Sequence, residues 1–173
     1  TNNLVREGVP SIINPDDQRA LELAAQLKEK FDAKVYVVTM GPPQAKEALK
    51  EAISFGLDGA ILLSDRAFAG ADTLATTYTI FGGLKKLEEQ IGKIDLLLFG
   101  KQAVDGDTGQ VGPGIATRYG YPLGAYVVKI EKIDFEHKEM IIVRRLDRGY
   151  EKIKIKIPAV LTITDELNEP RYA

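Results

Sequence analysis

The sequence predicts an α/β fold with a doubly wound, mostly parallel sheet and an antiparallel β extension in its C-terminal third. Before residue 120, apolar segments of strand length alternate with segments of helical period, which is typical of parallel strands joined by right-handed crossovers. The strand at residues 94–99 is too apolar for a half-solvated position, so we expect helices on both of its faces. From residue 152 to 157, lysines alternate with isoleucines, which predicts a strand with one solvated face. The whole chain, 1–173, is predicted to be one domain.

The first half of the chain carries clear signals for the ends of its elements. Asn14 can cap the first helix, and acidic residues follow it in the first turn. Gly41 and the two prolines after it predict the turn into a second helix, which Gly56 ends. The predicted elements up to residue 99 are a helix at 14–32, a strand at 35–40, a helix up to 56, a strand at 60–63, a helix at 74–91 and the strand at 94–99.

The second half changes from helical to β patterning. A helix is predicted from Gln110 to about Tyr119, and every later element is a strand. Asp147 to Gly149 supply a hairpin turn. We interpret the lysine row as the solvated face of a strand rather than as a basic patch, because edge lysines block unwanted pairing. The predicted strands are residues 125–133, 140–146, 150–157 and 159–163.

Composition excludes several classes of function. The 173 residues are 45% hydrophobic and carry a net charge of -2, without the concentrated positive charge of nucleic-acid binders. The chain has no cysteine, which excludes disulfides and thiolate sites and fits a reducing compartment. Its one histidine, His137, is expected to be solvated in a hairpin turn. No apolar run approaches the ~20 residues that span a bilayer and no signal-peptide pattern opens the chain, so we expect a cytoplasmic protein that is not membrane-embedded.

Residues 100–111 form the stretch that most resembles a binding site. They read Gly-Lys-Gln-Ala-Val-Asp-Gly-Asp-Thr-Gly-Gln-Val and follow the carboxyl end of a buried strand, where open parallel sheets bind ligands. Gly106 and Gly109 permit close approach of the backbone to a ligand, and a helix begins near Gln110. Free backbone N–H groups suited to phosphate are the expected result. Two more strand-to-helix turns, at 40–43 and 64–73, should meet the same edge and so favour a nucleotide site.

The residues themselves do not reveal catalytic machinery. There is no Walker motif, and the sequence around Gly112 and Gly114 is not a dinucleotide fingerprint, because Thr117 stands where its third glycine belongs. Asp105 and Asp107 are either a carboxylate pair for acid–base chemistry or turn and cap residues, and we favour the cap role. The residues therefore indicate a domain that binds an adenine nucleotide without evident means of cleaving it.

Five motifs resemble the small, or beta, subunit of electron transfer flavoproteins, including its FixA-like and electron-bifurcating members, over essentially the whole chain. They are residues 100–113, the helix start at Asn14 and Pro15, residues 40–43, residues 64–73, and residues 158–161 together with 168–172. The resemblance implies a fold like that of the adenine nucleotide α-hydrolases. It also implies a non-catalytic electron carrier, paired as a heterodimer with an alpha subunit that holds FAD. Acyl-CoA or other dehydrogenases would supply its electrons.

The resemblance also implies a set of cofactor-binding residues. Many members hold AMP, but those with a second FAD resemble this chain more closely at residues 105–108 and 64–73, so we expect FAD, with AMP as the alternative. Gly106 and Thr108 would leave room and donors for a pyrophosphate, and Arg66 and Thr73 could reach the flavin end. The candidate residues are Asn14, Pro15, Asp16, Asp17, Met40, Gly41, Arg66, Asp72, Thr73, Gly100, Lys101, Gln102, Ala103, Val104, Asp105, Gly106, Asp107, Thr108, Gly109, Gln110 and Val111.

Two departures and two alternatives accompany this interpretation. Family members begin with a strand and turn of the pattern V-x-V-K-Q-V-P and continue past the motif at 168–172 into a recognition loop and an arm, so we expect a chain truncated at both ends.

One alternative is an ATP-hydrolysing or adenylating enzyme of the same fold, with Asp105 or Asp107 holding Mg²⁺. The other is a structural interaction module whose nucleotide is vestigial.

Overall fold

The structure, a computed structural model, describes residues 15–68, 72–100 and 111–168. In these residues helices and strands alternate as far as residue 119, and only strands follow. The α/β class is confirmed, and the predicted elements are present with ends shifted by a few residues. Within these residues, no helix is both long and apolar enough to cross a bilayer. The elements are α1 (Pro15–Phe31), β1 (Tyr36–Met40), α2 (Lys46–Ile53), β2 (Gly59–Leu63), α3 (Thr73–Ile91), β3 (Leu96–Gly100), α4 (Val111–Tyr119), β4 (Leu123–Asp134), β5 (Glu139–Leu146), β6 (Gly149–Lys156) and β7 (Ala159–Ile163).

The strands of the described residues form two sheets, whereas the sequence predicts one. β1 and β2 pair in parallel, and a separate sheet has the strand order β3-β7-β4-β5-β6. In that sheet β3, β7 and β4 are parallel, and β5 and β6 extend it antiparallel. The parallel part and the antiparallel extension are therefore confirmed, but the strands of the described residues do not form a single continuous sheet. Hydrophobic period specifies that a segment is a strand, but it does not specify which strand lies beside it.

β7 lies inside the larger sheet, between β3 and β4, and is buried on both faces. All five of its residues are buried. On one face, Leu161 and Ile163 join a cluster with residues of α1, β5 and β6. On the other face, Val160 joins a cluster with Leu97 of β3 and with residues of α3 and α4. Coverage of both faces explains why four of the five residues of β7 are apolar and why its one polar residue, Thr162, is also buried.

The lysine row lies on β6, which is the edge strand of the larger sheet. Lys152 pairs with Glu131 at 2.8 Å, and Lys154 pairs with Glu139 at 3.0 Å. The lysine side chains are about two-thirds exposed, which confirms a solvated strand face. Charged residues on an edge strand hinder pairing with other strands.

β4 bends sharply where it leaves β7. Its register with β7 shifts between Gly124 and Val127, and Tyr126 has a φ of 55°. The bend lets the antiparallel extension pack back over the start of β4, because Ile142 of β5 lies against Gly124. A Cβ atom at Gly124 would stand 2.6 Å from Ile142 Cδ1 and 2.7 Å from Leu161 Cδ2. Glycine at this position is therefore required by a close approach of two buried side chains.

We expect Gly124→Ala to lower the free energy of unfolding by about 1–3 kcal/mol, because the added methyl group overpacks a core whose neighbouring side chains are fully buried. Urea denaturation measures the change. Gly82→Ala is the control: Gly82 lies inside α3 with nothing within 4 Å of an added Cβ. Alanine there should be neutral or stabilising. Equal effects of the two substitutions would contradict the packing explanation.

Asp58 joins three segments next to the smaller sheet. Its two carboxylate oxygens each accept a hydrogen bond from Lys28 Nζ of α1 at 2.8 Å, and Oδ2 also accepts the Val35 N–H at 2.7 Å. The Asp58 N–H donates to the Val35 carbonyl at 2.8 Å. The hydrogen bonds from Lys28 and Val35 hold the pKa of Asp58 below its ordinary value. These bonds fix the position of β1 and β2 relative to α1.

Asp58→Asn should reduce stability by about 1–2 kcal/mol at pH 7, since it weakens hydrogen bonds that involve charged groups. Because the pKa of Asp58 is lowered in the folded state, its contribution is complete above the unfolded-state pKa of about 4. The contribution is lost as the pH falls further, through the folded-state pKa. Urea denaturation of both proteins from pH 7 to pH 3 should show the difference shrinking. Glu89→Gln, an exposed position on α3, is the control and should show little difference at any pH.

Candidate functional site

The candidate site is built on the carboxyl ends of two pairs of parallel strands, β1 with β2 and β3 with β7, which we call the rim. Met40 at the end of β1 lies opposite Leu63 at the end of β2, and the Gly41 N–H continues this ladder by donating to the Leu63 carbonyl at 3.0 Å. Gly100 at the end of β3 lies opposite Ile163 at the end of β7. Helix α3 follows β2 and precedes β3, so it connects the two pairs of strands.

The first turn of α1 is bonded to the end of β3. Asp17 Oδ1 accepts the Gly100 N–H at 3.0 Å, although the two residues are 83 positions apart. Pro15 and Asp16 are the first two residues of α1. This contact places the start of α1 beside the point from which the glycine-rich segment departs.

A second contact joins α1 to the segment that follows β7. The Arg19 guanidinium donates to the carbonyl oxygens of Asp165, at 3.1 Å, and Asn168. The Asn168 side-chain amide donates back to the Arg19 carbonyl at 3.1 Å. Arg19 thus secures the chain at the end of the neighbouring strand, so two adjacent strand ends are bonded to one helix.

The segment after β7 is also held from its other side. Tyr150 donates its hydroxyl to Glu166 Oε2 at 2.9 Å, and Arg145 pairs with the other oxygen of the same carboxylate. The hydrogen bond to Glu166 and the charge of that carboxylate raise the pKa of Tyr150. Thr164 is fully buried and donates its hydroxyl to the Val127 carbonyl at 3.0 Å. These bonds tie the rim to the antiparallel extension.

The turn after β2 places one cation and one capping carboxylate at the rim. Arg66 is exposed within the 3-10 turn Arg66–Phe68, and Asp65 Oδ1 accepts the Ala67 N–H at 2.9 Å to form that turn. Asp72 is the N-cap of α3, and its Oδ1 accepts the Ala75 N–H at 2.8 Å. Thr73 is the first residue of α3. Asp72, a predicted cofactor-binding residue, therefore has a structural role as a helix cap.

α4 begins at Val111 and is held close to its neighbours by two glycines. A Cβ atom at Gly112 would stand 2.9 Å from Thr162 Cγ2 of β7, and one at Gly114 would stand 2.8 Å from Thr77 Cγ2 of α3. The two glycines therefore serve helix packing, which agrees with the absence of a dinucleotide fingerprint. Their contacts fix the start of α4 against the sheet, beyond the end of the glycine-rich segment.

Part of the predicted site lies outside the described residues. This applies to Asn14 and to all ten residues of the segment between β3 and α4. The residues concerned are Asn14, Lys101, Gln102, Ala103, Val104, Asp105, Gly106, Asp107, Thr108, Gly109 and Gln110. Of the remaining candidates, Asp17 and Gly100 meet directly, and Met40, Gly41, Arg66 and Asp72 lie at the ends of β1 and β2 or just beyond.

The whole chain, residues 1–173, matches the family model of the electron transfer flavoprotein domain. The chain belongs to this family. It is 53% identical over 169 residues to the electron transfer flavoprotein subunit beta of Clostridium acetobutylicum. It is 51% identical over 173 residues to subunit CarD of the caffeyl-CoA reductase-Etf complex of Acetobacterium woodii, and 49% identical over 172 residues to protein FixA of Azotobacter vinelandii.

The alignments cover nearly all of this chain but only part of each relative. They include 98%, 99% and 99% of the chain, and 62%, 63% and 61% of the relatives from C. acetobutylicum, A. woodii and A. vinelandii. The chain therefore spans about three fifths of the length of the curated relatives it matches. The resemblance that the five sequence motifs predict is confirmed. The alternative of an ATP-hydrolysing or adenylating enzyme gains no support.

Tyr126 of β4 lies near the rim, although the sequence gives no reason to select it as a site residue. Val127 of β4 and Gly100 of β3 flank Ile163 on either side, so Tyr126 lies near the same edge. Its side chain is 42% exposed, its φ is positive, and its N–H donates to Thr162 Oγ1 at 2.8 Å. Positive φ at a residue other than glycine is uncommon. A lone tyrosine within an apolar strand gives no signal of such a backbone conformation.

Metal-binding chemistry has no support in the described ranges. Within them, no group of three or more histidine, cysteine, aspartate or glutamate residues could hold a metal ion. His137 is exposed in the hairpin between β4 and β5, with its Nδ1 at 2.7 Å from Asp134 Oδ2. Its exposure confirms the expectation of a solvated histidine.

The capping role of Asp72 predicts a specific stability pattern. Asp72→Ala should lower the free energy of unfolding by about 1 kcal/mol, because it removes the acceptor for the Ala75 N–H, whereas Asp72→Ser should retain most of the stability. Thermal denaturation of the three proteins tests this. If the alanine and serine variants are equally destabilised, Asp72 stabilises the protein by something other than its cap.

Proposed function

We propose that this chain is the nucleotide-binding part of an electron transfer flavoprotein beta subunit, which holds an adenine nucleotide at the rim and pairs with an alpha subunit that carries FAD. The observation that carries the proposal is the position of the described elements on either side of residues 101–110. The segment leaves β3 at Gly100, whose N–H is held by Asp17, and it rejoins the described structure at the start of α4. A loop set between a strand's carboxyl end and a helix N-terminus presents backbone donors to phosphate.

The residues present fit an adenine nucleotide. Val111 and Gly112 lie in the first turn of α4, whose N–H groups have no partner within the helix. Arg66 adds an exposed guanidinium at the neighbouring strand end. Bound FAD would supply the redox chemistry, since flavins accept and donate electrons themselves. The protein's part is to bind and orient the cofactor.

We propose FAD rather than AMP as the nucleotide, on the strength of the sequence at residues 105–108 and 64–73. Both ligands contain an adenylate, so the glycine-rich segment serves either of them. FAD needs a further polar contact for the part beyond the adenylate. Arg66 stands at the end of β2, next to the strand that ends at Met40, and can supply that contact.

We propose that residues 1–173 form one domain and that the protein works in the cytoplasm, a reducing compartment in which disulfides are rare and which a chain without cysteine fits. The name of the A. woodii relative describes a subunit of an assembly that includes caffeyl-CoA reductase. By analogy, acyl-CoA or other dehydrogenases would donate electrons to the heterodimer. We propose that the protein does not bind nucleic acid.

Counting the released cofactors tests the proposal. The chain should be co-expressed with its alpha subunit and the heterodimer denatured, and absorbance and mass should then identify what is released. Two FAD per heterodimer is the expected result. One FAD with one AMP would overturn the assignment of FAD to this subunit but keep the nucleotide site. One FAD with no second nucleotide would overturn the site itself.

Gly109→Val should weaken nucleotide binding more than it weakens folding, since a branched side chain obstructs close approach of the backbone to the phosphate. Titration calorimetry with AMP and FAD measures the affinity, and we expect a loss of at least about tenfold, or about 1.4 kcal/mol. Gly82→Val, at an exposed position of α3 away from the rim, serves as the control for replacing glycine by valine. Wild-type affinity in the Gly109 variant would show that this turn does not bind the phosphate.

A further inference from the structure

We propose that Asp17 is a positioning residue of the nucleotide site: by holding the Gly100 N–H, it sets the point and direction from which the glycine-rich segment leaves β3. This inference rests on the proposed function, because it assigns a role within the same site. It differs from the expectation based on the family resemblance, in which Asp17 is one of the residues that contact the nucleotide.

The geometry assigns the Asp17 carboxylate to the protein backbone. Its Oδ1 accepts the Gly100 N–H at 3.0 Å, a normal hydrogen-bond length, and a bond to a carboxylate is stronger than one between neutral groups. Gly100 has no side chain whose packing could fix its backbone. At the last residue of β3, the hydrogen bond to Asp17 therefore holds the backbone in place, as a packed side chain does elsewhere in the sheet.

Asp17 can hold Gly100 in place because α1 is itself fixed to the sheet. Ala20, Leu23 and Leu27 bury one side of the helix in the cluster that includes Leu161 and Ile163. Two residues after Asp17 in the same helix, Arg19 forms hydrogen bonds with the segment that follows β7. The first two turns of α1 therefore set the positions of the neighbouring β3 and β7 ends relative to each other.

Electrostatics favours a positioning role over direct contact with phosphate. A carboxylate near a phosphate group repels it, and at 4 Å the repulsion is about 1 kcal/mol even in bulk water. By contrast, a carboxylate in the first turn of a helix is stabilised by the helix dipole and by nearby N–H donors. Asp17 is thus suited to bind an amide of the protein and to leave the other amides of the segment to the ligand.

Two substitutions separate the hydrogen bond from the charge. Asp17→Asn keeps an oxygen that accepts the Gly100 N–H, whereas Asp17→Ala removes it. Asp134→Ala is the matched control, since Asp134 also accepts a backbone N–H, that of His137 at 2.9 Å, but lies in a hairpin away from the rim. Each full-length chain is titrated with AMP and with FAD by calorimetry. The hydrogen exchange of the Gly100 amide is followed by NMR without nucleotide.

We expect Asp17→Ala to bind the nucleotide about tenfold more weakly and to exchange the Gly100 amide faster, whereas Asp17→Asn and Asp134→Ala stay within about twofold of wild type in both measurements. Unchanged affinity and exchange in Asp17→Ala would overturn the inference. So would a loss of affinity in Asp17→Asn as large as that in Asp17→Ala, because it would mean that the charged carboxylate contacts the ligand. If the wild-type chain binds neither nucleotide, both this inference and the proposed function fail. If the wild type binds but Asp17→Ala binds equally well, only this inference fails.

Discussion

The two-sided burial of β7 is the constraint on which the rest of the structure depends. α1 covers one face of this strand and α3 and α4 cover the other, so four of its five side chains are apolar. The fifth, Thr162, is buried and accepts a hydrogen bond from the Tyr126 N–H. Its pairing with β3 on one edge and β4 on the other brings Gly100 and Val127 to either side of Ile163. At the spacing of neighbouring strands, these two residues are separated by roughly 10 Å. The packing of the core around β7 therefore determines which residues meet at the rim, although they come from distant parts of the chain.

The rim is stiffened by side chains that bond to backbone groups. Asp17 holds the Gly100 amide, Arg19 and Asn168 exchange bonds across the end of β7, and Thr164 bonds the Val127 carbonyl. Each bond joins a segment that has left its strand to an element that remains packed in the core. Binding sites that rely on backbone donors need this support, because the orientation of an N–H group is fixed only when the chain is held on both sides of it.

The elements could be predicted from the sequence, but the contacts between them could not. Period and end signals are local, so the strand at β7 and the helix that ends at Phe31 follow directly from the residues. The division into two sheets, the bend at Tyr126 and the bond from Asp17 to Gly100 each join residues that are distant in the sequence or depend on backbone angles. The glycines of α4 show the same limit: the sequence says that 112 and 114 are glycine, but only packing against Thr162 and Thr77 says why.

The function that we propose separates phosphate binding from the choice between AMP and FAD. Backbone donors recognise phosphate by position and charge, and they do not depend on what is attached beyond it. In the proposed site, the glycine-rich segment would therefore accept both ligands, and the choice would be made where the larger ligand extends past the adenylate. We propose Arg66, which follows β2, for that contact. Phosphate binding and ligand choice would then depend on residues at different strand ends.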